Sequence, residues 1–174
     1  MGQPLGVFYL PHCTGLSKNA NGQYTYDIAD LDGNKVVDIA DGADRYIAGQ
    51  ATPKMTLGSN ISFRYRDFDI SVQMNGAFGH KIYNGTALTY MNMTSFPAYN
   101  VMEGASEANI ADQTATDYWL ESGDYLNFDY VTVGWNVPVK KHCRYINSLR
   151  LSLSINNLAT LTGYSGLTPM INSY

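Results

Sequence analysis

Between Asp30 and Asp41 the sequence places oxygen-bearing side chains at a spacing that suits a hard cation. Asp30, Asp32, Asn34, Asp38 and Asp41 fall at positions 1, 3, 5, 9 and 12 of a twelve-residue loop, with the Val36 carbonyl available at position 7. Calcium takes six to eight oxygens converging on one point, and this spacing lets a single loop wrap the ion. The stretch departs from a calcium-binding EF-hand at Lys35, where glycine is needed, and at Asp41, where a bidentate Glu is usual. The same residues suit a turn closed on itself, because Asp and Asn side chains accept hydrogen bonds from backbone N–H groups two or three residues on. Coordination of calcium and an Asx-type turn both stand as expectations for this loop.

Aromatic side chains are the other candidates for chemistry. Tyr83, Tyr90, Tyr99, Tyr118, Trp119 and Tyr164 lie in irregular stretches, where rings stack on a sugar or peptide face or else pack the loops themselves. Trp119, with Tyr118 and Tyr83, is the leading ligand-binding group. Catalytic patterns are thin. His12, His80 and His142 have no carboxylate at metal-ligand spacing in the sequence and read as surface or turn residues. The Gly163–Gly166 stretch, GYSG, is one residue short of a nucleophile elbow and falls in a predicted loop. Asp67 with Asp69 and Glu121 with Asp124 sit at turns, where Asp is common for backbone reasons. Cys13 and Cys143 are too few and too far apart for a disulfide scaffold or zinc knuckle. No residue is assigned a catalytic role, and the chain is read as a non-enzyme.

The elements that position these groups are β-strands. Charged residues make up only 15% of the 174, against roughly 25% in ordinary globular chains, while Tyr reaches 14 and Gly 16. Few charges with many tyrosines and glycines suit β-structure that has one face in an apolar phase. A net charge of -4 provides no basic footprint for nucleic acid. No apolar run is long enough for a membrane-spanning helix, a rule that leaves β-barrels untouched because their strands alternate.

Period-two alternation appears in two pairs of segments, each about the ten residues with which a tilted strand crosses a bilayer. Leu57, Ile61, Phe63 and Tyr65 alternate with Thr56, Asn60, Ser62 and Arg64. After a tight connection at Asp67, Phe68, Ile70, Val72, Met74 and Phe78 alternate with Asp69, Ser71, Gln73 and Asn75. Further on, Val131, Val133, Trp135 and Val137 alternate with Tyr130, Thr132 and Asn136, until Pro138 ends the run. Leu149, Leu151, Leu153 and Ile155 then alternate with Arg150, Ser152, Ser154 and Asn156. The connection from Pro138 to Asn147 is short and basic, whereas that from Gly79 to Glu121 is long and polar. Short turns at one end and long loops at the other are the habit of outer-membrane barrels. Alternation by itself equally describes a secreted, carbohydrate-binding β-sandwich, in which the apolar face packs on a second sheet.

In order and spacing, several segments resemble the carboxy-terminal part of the barrel in SusC/RagA-type TonB-dependent outer-membrane receptors. They are GQPLGVFYL from Gly2, DLDGNKVVDIADGADRYIAGQATPKMTLG from Asp30, FRYRDFDISVQMNGAFGHKIYN from Phe63, YWLESGDYLNFDYVTVGWNVP from Tyr118 and INSLRLSLSINNLATLTGYSGLTP from Ile146. The resemblance implies an antiparallel transmembrane β-barrel segment in the bacterial outer membrane, contributing wall and extracellular loops to a nutrient transporter. It implies outer-membrane lipid, a SusD-like lipoprotein, the TonB complex and an oligosaccharide or peptide as partners, with no nucleic acid. It further implies that residues 1–174 lack the plug domain and the final closing strand. Such barrels close with about 22 strands, so the chain is not expected to transport alone.

Overall fold

A computed structural model describes residues 2–40, 42–139 and 145–170. The strands are β1 (Val7–Pro11), β2 (Cys13–Lys18), β3 (Tyr24–Ile28), β4 (Arg45–Gln50), β5 (Met55–Tyr65), β6 (Phe68–Phe78), β7 (Lys81–Tyr83), β8 (Leu120–Ser122), β9 (Tyr125–Val137) and β10 (Leu149–Thr162). Two short helices, α1 (Gly85–Tyr90) and α2 (Ala105–Ala108), lie between β7 and β8. None of the described helices is long and apolar enough to cross a membrane. The chain divides into two compact units. One comprises Met1–Pro53, Gly79–Gly123 and Tyr164–Tyr174, and the other Lys54–Phe78 and Asp124–Gly163.

The second unit is a four-stranded antiparallel sheet in the order β10-β9-β6-β5. Its strands are the alternating segments read from the sequence, now 11, 11, 13 and 14 residues long. Because each pair is antiparallel and in register, residues of like character align in rows across the sheet. Ile61, Val72, Val131 and Ile155 form one row, and Phe63, Ile70, Val133 and Leu153 the next. Tyr65, Phe68, Trp135 and Leu151 form a third, in which the Phe68 and Trp135 rings stack at 5.8 Å. The opposite face carries Ser62, Ser71, Thr132 and Ser154 in one row and Asn60, Gln73, Tyr130 and Asn156 in another.

A β-sandwich would bury the apolar rows, and the structure leaves them open. Phe63 is 64% exposed and Leu153 67%, and Ile61, Trp135 and Leu151 are exposed as well. So large a contiguous apolar face marks an interaction surface or a lipid contact.

The alternation survives a break in phase. Leu126 and Phe128 are even-numbered while Val131 and Val133 are odd, yet all four share the apolar face. Asp129 supplies the difference: the register with β6 shifts between Gln73 and Met74, leaving Asp129 as an additional, bulged residue in β9. A second shift in β10 falls between Asn156 and Ala159, where Asn157 takes a φ of +50°.

The first unit holds most of the core. Tyr26, Ile82, Ala87, Ala105 and Ile110 are its buried apolar residues. Here β1 pairs with β4, β2 with β3 and β7 with β8. The stretch from Gly79 to Glu121, a long polar connection in sequence terms, is folded by short helices, backbone bonds and several side-chain caps. Asn84 accepts from the Ala87 N–H at 2.9 Å to start α1. Buried Asn92 accepts from the Thr94 N–H, also at 2.9 Å. Ile110 makes parallel bridges to both Tyr24 and Asn92. The connection from Pro138 to Asn147 includes residues 140–144, so His142 and Cys143 lie outside the described residues, as does Asp41.

Candidate functional site

Trp119 and Tyr118 close a one-turn 3-10 segment, Asp117–Trp119, that leads into β8. The Trp119 Nε1–H donates to the Tyr26 hydroxyl at 2.6 Å. The Tyr118 ring meets Trp119 edge-on at 4.9 Å and lies 5.5 Å from Tyr26. Tyr118 keeps 46% of its surface exposed. Burial pushes the Tyr26 phenol up to about 12, although the hydrogen bond from Trp119 acts in the opposite sense. Tyr83 lies within electrostatic reach of Tyr26. Its hydroxyl is buried without a hydrogen-bond partner among the described residues. Burial, and after it the charge of Asp117, raises its pKa. The structure thus groups the proposed rings around Tyr26, which sequence reasoning did not single out.

Asp117 is the polar centre of this region. Its Oδ1 accepts the Cys13 N–H at 2.7 Å, and its Oδ2 accepts the Tyr46 hydroxyl at 2.7 Å. The His12 Nδ1 lies 2.7 Å from the same Oδ2. Burial works to raise the Asp117 carboxyl, but the donors from Cys13, His12 and Tyr46 outweigh it and hold the group below the ordinary carboxylate value. The Tyr46 phenol is driven the other way, to about 12, by burial and by its bond to this anion. A small cavity of about 190 Å³ is lined by His12, Leu31 and Tyr46. His12, which looks solitary in sequence, therefore does pair with a carboxylate, one that lies 105 residues away. His80 lies in the connection between β6 and β7, as a turn residue would, but it is buried and not at the surface.

In the acidic loop the side chains close on the backbone. Asp30 accepts from the Gly33 and Lys35 N–H groups at 2.7 Å each, Asp32 from the Asn34 N–H at 3.0 Å, and Asn34 from the Val36 N–H at 2.7 Å. Asp38 accepts from the Ala40 N–H at 3.0 Å. The Lys35 N–H is the largest influence holding the Asp30 carboxyl below its usual value. A residue outside the expected set completes the cluster: Asp44 is fully buried and accepts from the Leu31 and Asp38 N–H groups at 2.7 and 2.6 Å. Asp30, Asp32 and Asp44 each offer a carboxylate oxygen within 4.8 Å of the other two.

Ser165 of the GYSG stretch is held by Glu121, through its N–H at 2.7 Å and its hydroxyl at 2.6 Å. Asn84 donates to the same carboxylate at 2.8 Å. The tail of the first unit is thereby tied to the start of α1.

The polar face of the four-stranded sheet is also stitched together. Asp69 on β6 receives a bidentate pair of 2.7 Å hydrogen bonds from Arg150 on β10, reaching across β9. The crossing needs Gly134, since a Cβ there would stand 2.5 Å from the Arg150 Nη2 and 2.7 Å from the Asp69 Oδ2. Arg64 lies opposite Asp69 on the same face, as its alternation predicts. Asn75 and Asn127 both donate to the bulged Asp129, and Thr160 donates to Asn127 at 2.7 Å.

No protein-family model matches this chain. Curated relatives do. A TonB-dependent receptor of Formosa agariphila, P3, is 29% identical over 154 residues, covering 83% of this chain and 15% of the receptor. A second receptor from the same organism, P39, is 25% identical over 171 residues, covering 84% of this chain and 16% of the receptor. The chain is similar in sequence to these two TonB-dependent receptors. Solved structures of the RagAB peptide importer share the fold. The "open-open" state superposes with a TM-score of 0.69 at 18% identity, covering 97% of this chain and 20% of the importer chain. The "closed-closed" state does so with a TM-score of 0.67 at 16% identity, covering 94% and 20%. The chain spans only about one sixth of the length of the curated receptors it matches. Its four long strands form an open antiparallel sheet, and the chain shares the fold of a part of the RagAB importer chain.

Proposed function

We propose that this chain forms wall and extracellular loops of an outer-membrane, TonB-dependent nutrient importer. The observation that carries the reading is the sheet of β5, β6, β9 and β10. Its open rows of Ile, Val, Leu, Phe and Trp back onto rows of hydroxyl and amide side chains already bonded to one another. One face suits hydrocarbon and the other a watery lumen, and each strand is long enough to cross. The parent would act with a SusD-like lipoprotein and with the TonB complex through its plug domain. Tyr118, Trp119 and Tyr83 would contribute to the cavity that receives an oligosaccharide or peptide. The description of the similar solved structures as a peptide importer favours the peptide. On this reading the chain catalyses no reaction.

The test is spin labelling of the whole natural protein in phospholipid vesicles, with single nitroxides at positions 63 and 153 and at positions 62 and 154. Labels at 63 and 153 should be accessible to oxygen dissolved in the bilayer. Labels at 62 and 154 should be accessible to a polar nickel chelate. Equal accessibility of the two sets to the chelate would remove the membrane assignment.

A further inference from the structure

We propose that Asp117 is the positioning residue for the Tyr118 and Trp119 ligand-stacking rings, an inference that rests on the reading of those rings as ligand contacts. Its carboxylate joins segments far apart in the chain: His12 and Cys13 at the junction of β1 and β2, and Tyr46 on β4. Only 13% of the side chain is exposed, and both oxygens have partners.

The residue directly after Asp117 is Tyr118, so the anchor is fixed one peptide away from the exposed ring. Trp119 is held at its far end by the bond from Nε1 to Tyr26. These two ties flank Tyr118 and restrain the backbone from which its ring projects. Charge and acceptor count explain why the residue is Asp. Ionised carboxylate is acceptor-only and receives donors on both oxygens, whereas Asn would turn an NH₂ group toward one set of them. The Asp117 carboxylate also acts on Tyr83, the third proposed ligand ring.

The experiment uses the whole natural protein in detergent. Its probes are a size-fractionated casein digest and a maltodextrin mixture, with binding followed by calorimetry. Trp119→Ala and Tyr118→Ala must first weaken binding of whichever probe the natural protein takes. If neither does, the ligand-stacking reading falls and this inference falls with it.

With the rings established, Asp117→Asn should weaken binding about tenfold and red-shift the part of the tryptophan emission that Trp119→Phe removes. Binding and emission unchanged in Asp117→Asn would overturn the positioning role alone. Should Asp117→Asn fail to fold, Tyr46→Phe decides, because it deletes one donor and keeps the ring. A loss of about threefold in affinity with the same red shift supports the inference, and natural affinity refutes it.

Discussion

The claim that one sheet face meets lipid can be tested by placing a charge on each face in turn. Ile61 stands near the middle of β5, in the row it shares with Val72, Val131 and Ile155, and Ser62 follows it on the opposite face. Arginine at the midplane of a lipid-facing strand costs roughly 2–4 kcal/mol, falling to about 0–1 near the interfaces. Taking about 3 kcal/mol for Ile61→Arg, the ratio of folded to unfolded protein should drop by roughly two orders of magnitude. Ser62→Arg should cost little, because the neighbouring rows are polar and that face already accommodates Arg64 and Arg150. If the apolar face met water, Ile61→Arg would be an exposed surface change, worth within about 0.5 kcal/mol either way. The assay is reversible denaturant unfolding of the whole protein in phospholipid vesicles, followed by tryptophan emission. Equal costs for the two variants, or a larger cost for Ser62→Arg, would refute the assignment of faces.

Gly134→Ala should lower the thermal midpoint by driving Asp69 and Arg150 apart, since the added Cβ stands where their bidentate contact lies. The loss should shrink in an Asp69→Ala background, and a double-mutant cycle with no coupling would count against the crossing geometry. Asp117 predicts an acid limb. Because its native carboxyl titrates below the ordinary value, its stabilisation is present above about pH 3.9 and fades as pH falls through the native pKa. Unfolding monitored between neutral pH and pH 2 should show that limb flattened in Asp117→Asn, and an unchanged profile would contradict the assignment. For the acidic loop we expect weak calcium binding. Asp30, Asp32 and Asp44 keep acceptor capacity beyond their backbone bonds, a carboxylate having about four acceptor sites. With an affinity near 1 mM, as in extracellular modules, 10 mM calcium would stabilise by roughly 1.4 kcal/mol. Scanning calorimetry should show a raised midpoint that Asp32→Asn abolishes, and no rise in the natural protein would leave the loop a self-capped turn.

What the sequence determined by itself was the four-stranded sheet. Alternation over Leu57–Tyr65, Phe68–Phe78, Val131–Val137 and Leu149–Ile155 is a local property, because successive side chains of a strand point to opposite faces whatever lies beyond. Strand length, the polar place of Arg64 and the stop at Pro138 follow from the same local rules. Tertiary structure alone decided the rest, and each case turns on contacts between distant residues. The phase change from Phe128 to Val131 is absorbed by a bulge at Asp129 that exists only in register with β6. Asp44, and not an evenly spaced loop position, joins Asp30 and Asp32, because burial beneath the loop brings it to the Leu31 and Asp38 N–H groups. His12 finds Asp117 across 105 residues, and Tyr26 takes the Trp119 indole across 93. No periodicity encodes such pairs; a buried donor or acceptor is satisfied by whichever partner chain closure brings within reach, and that choice is made in three dimensions.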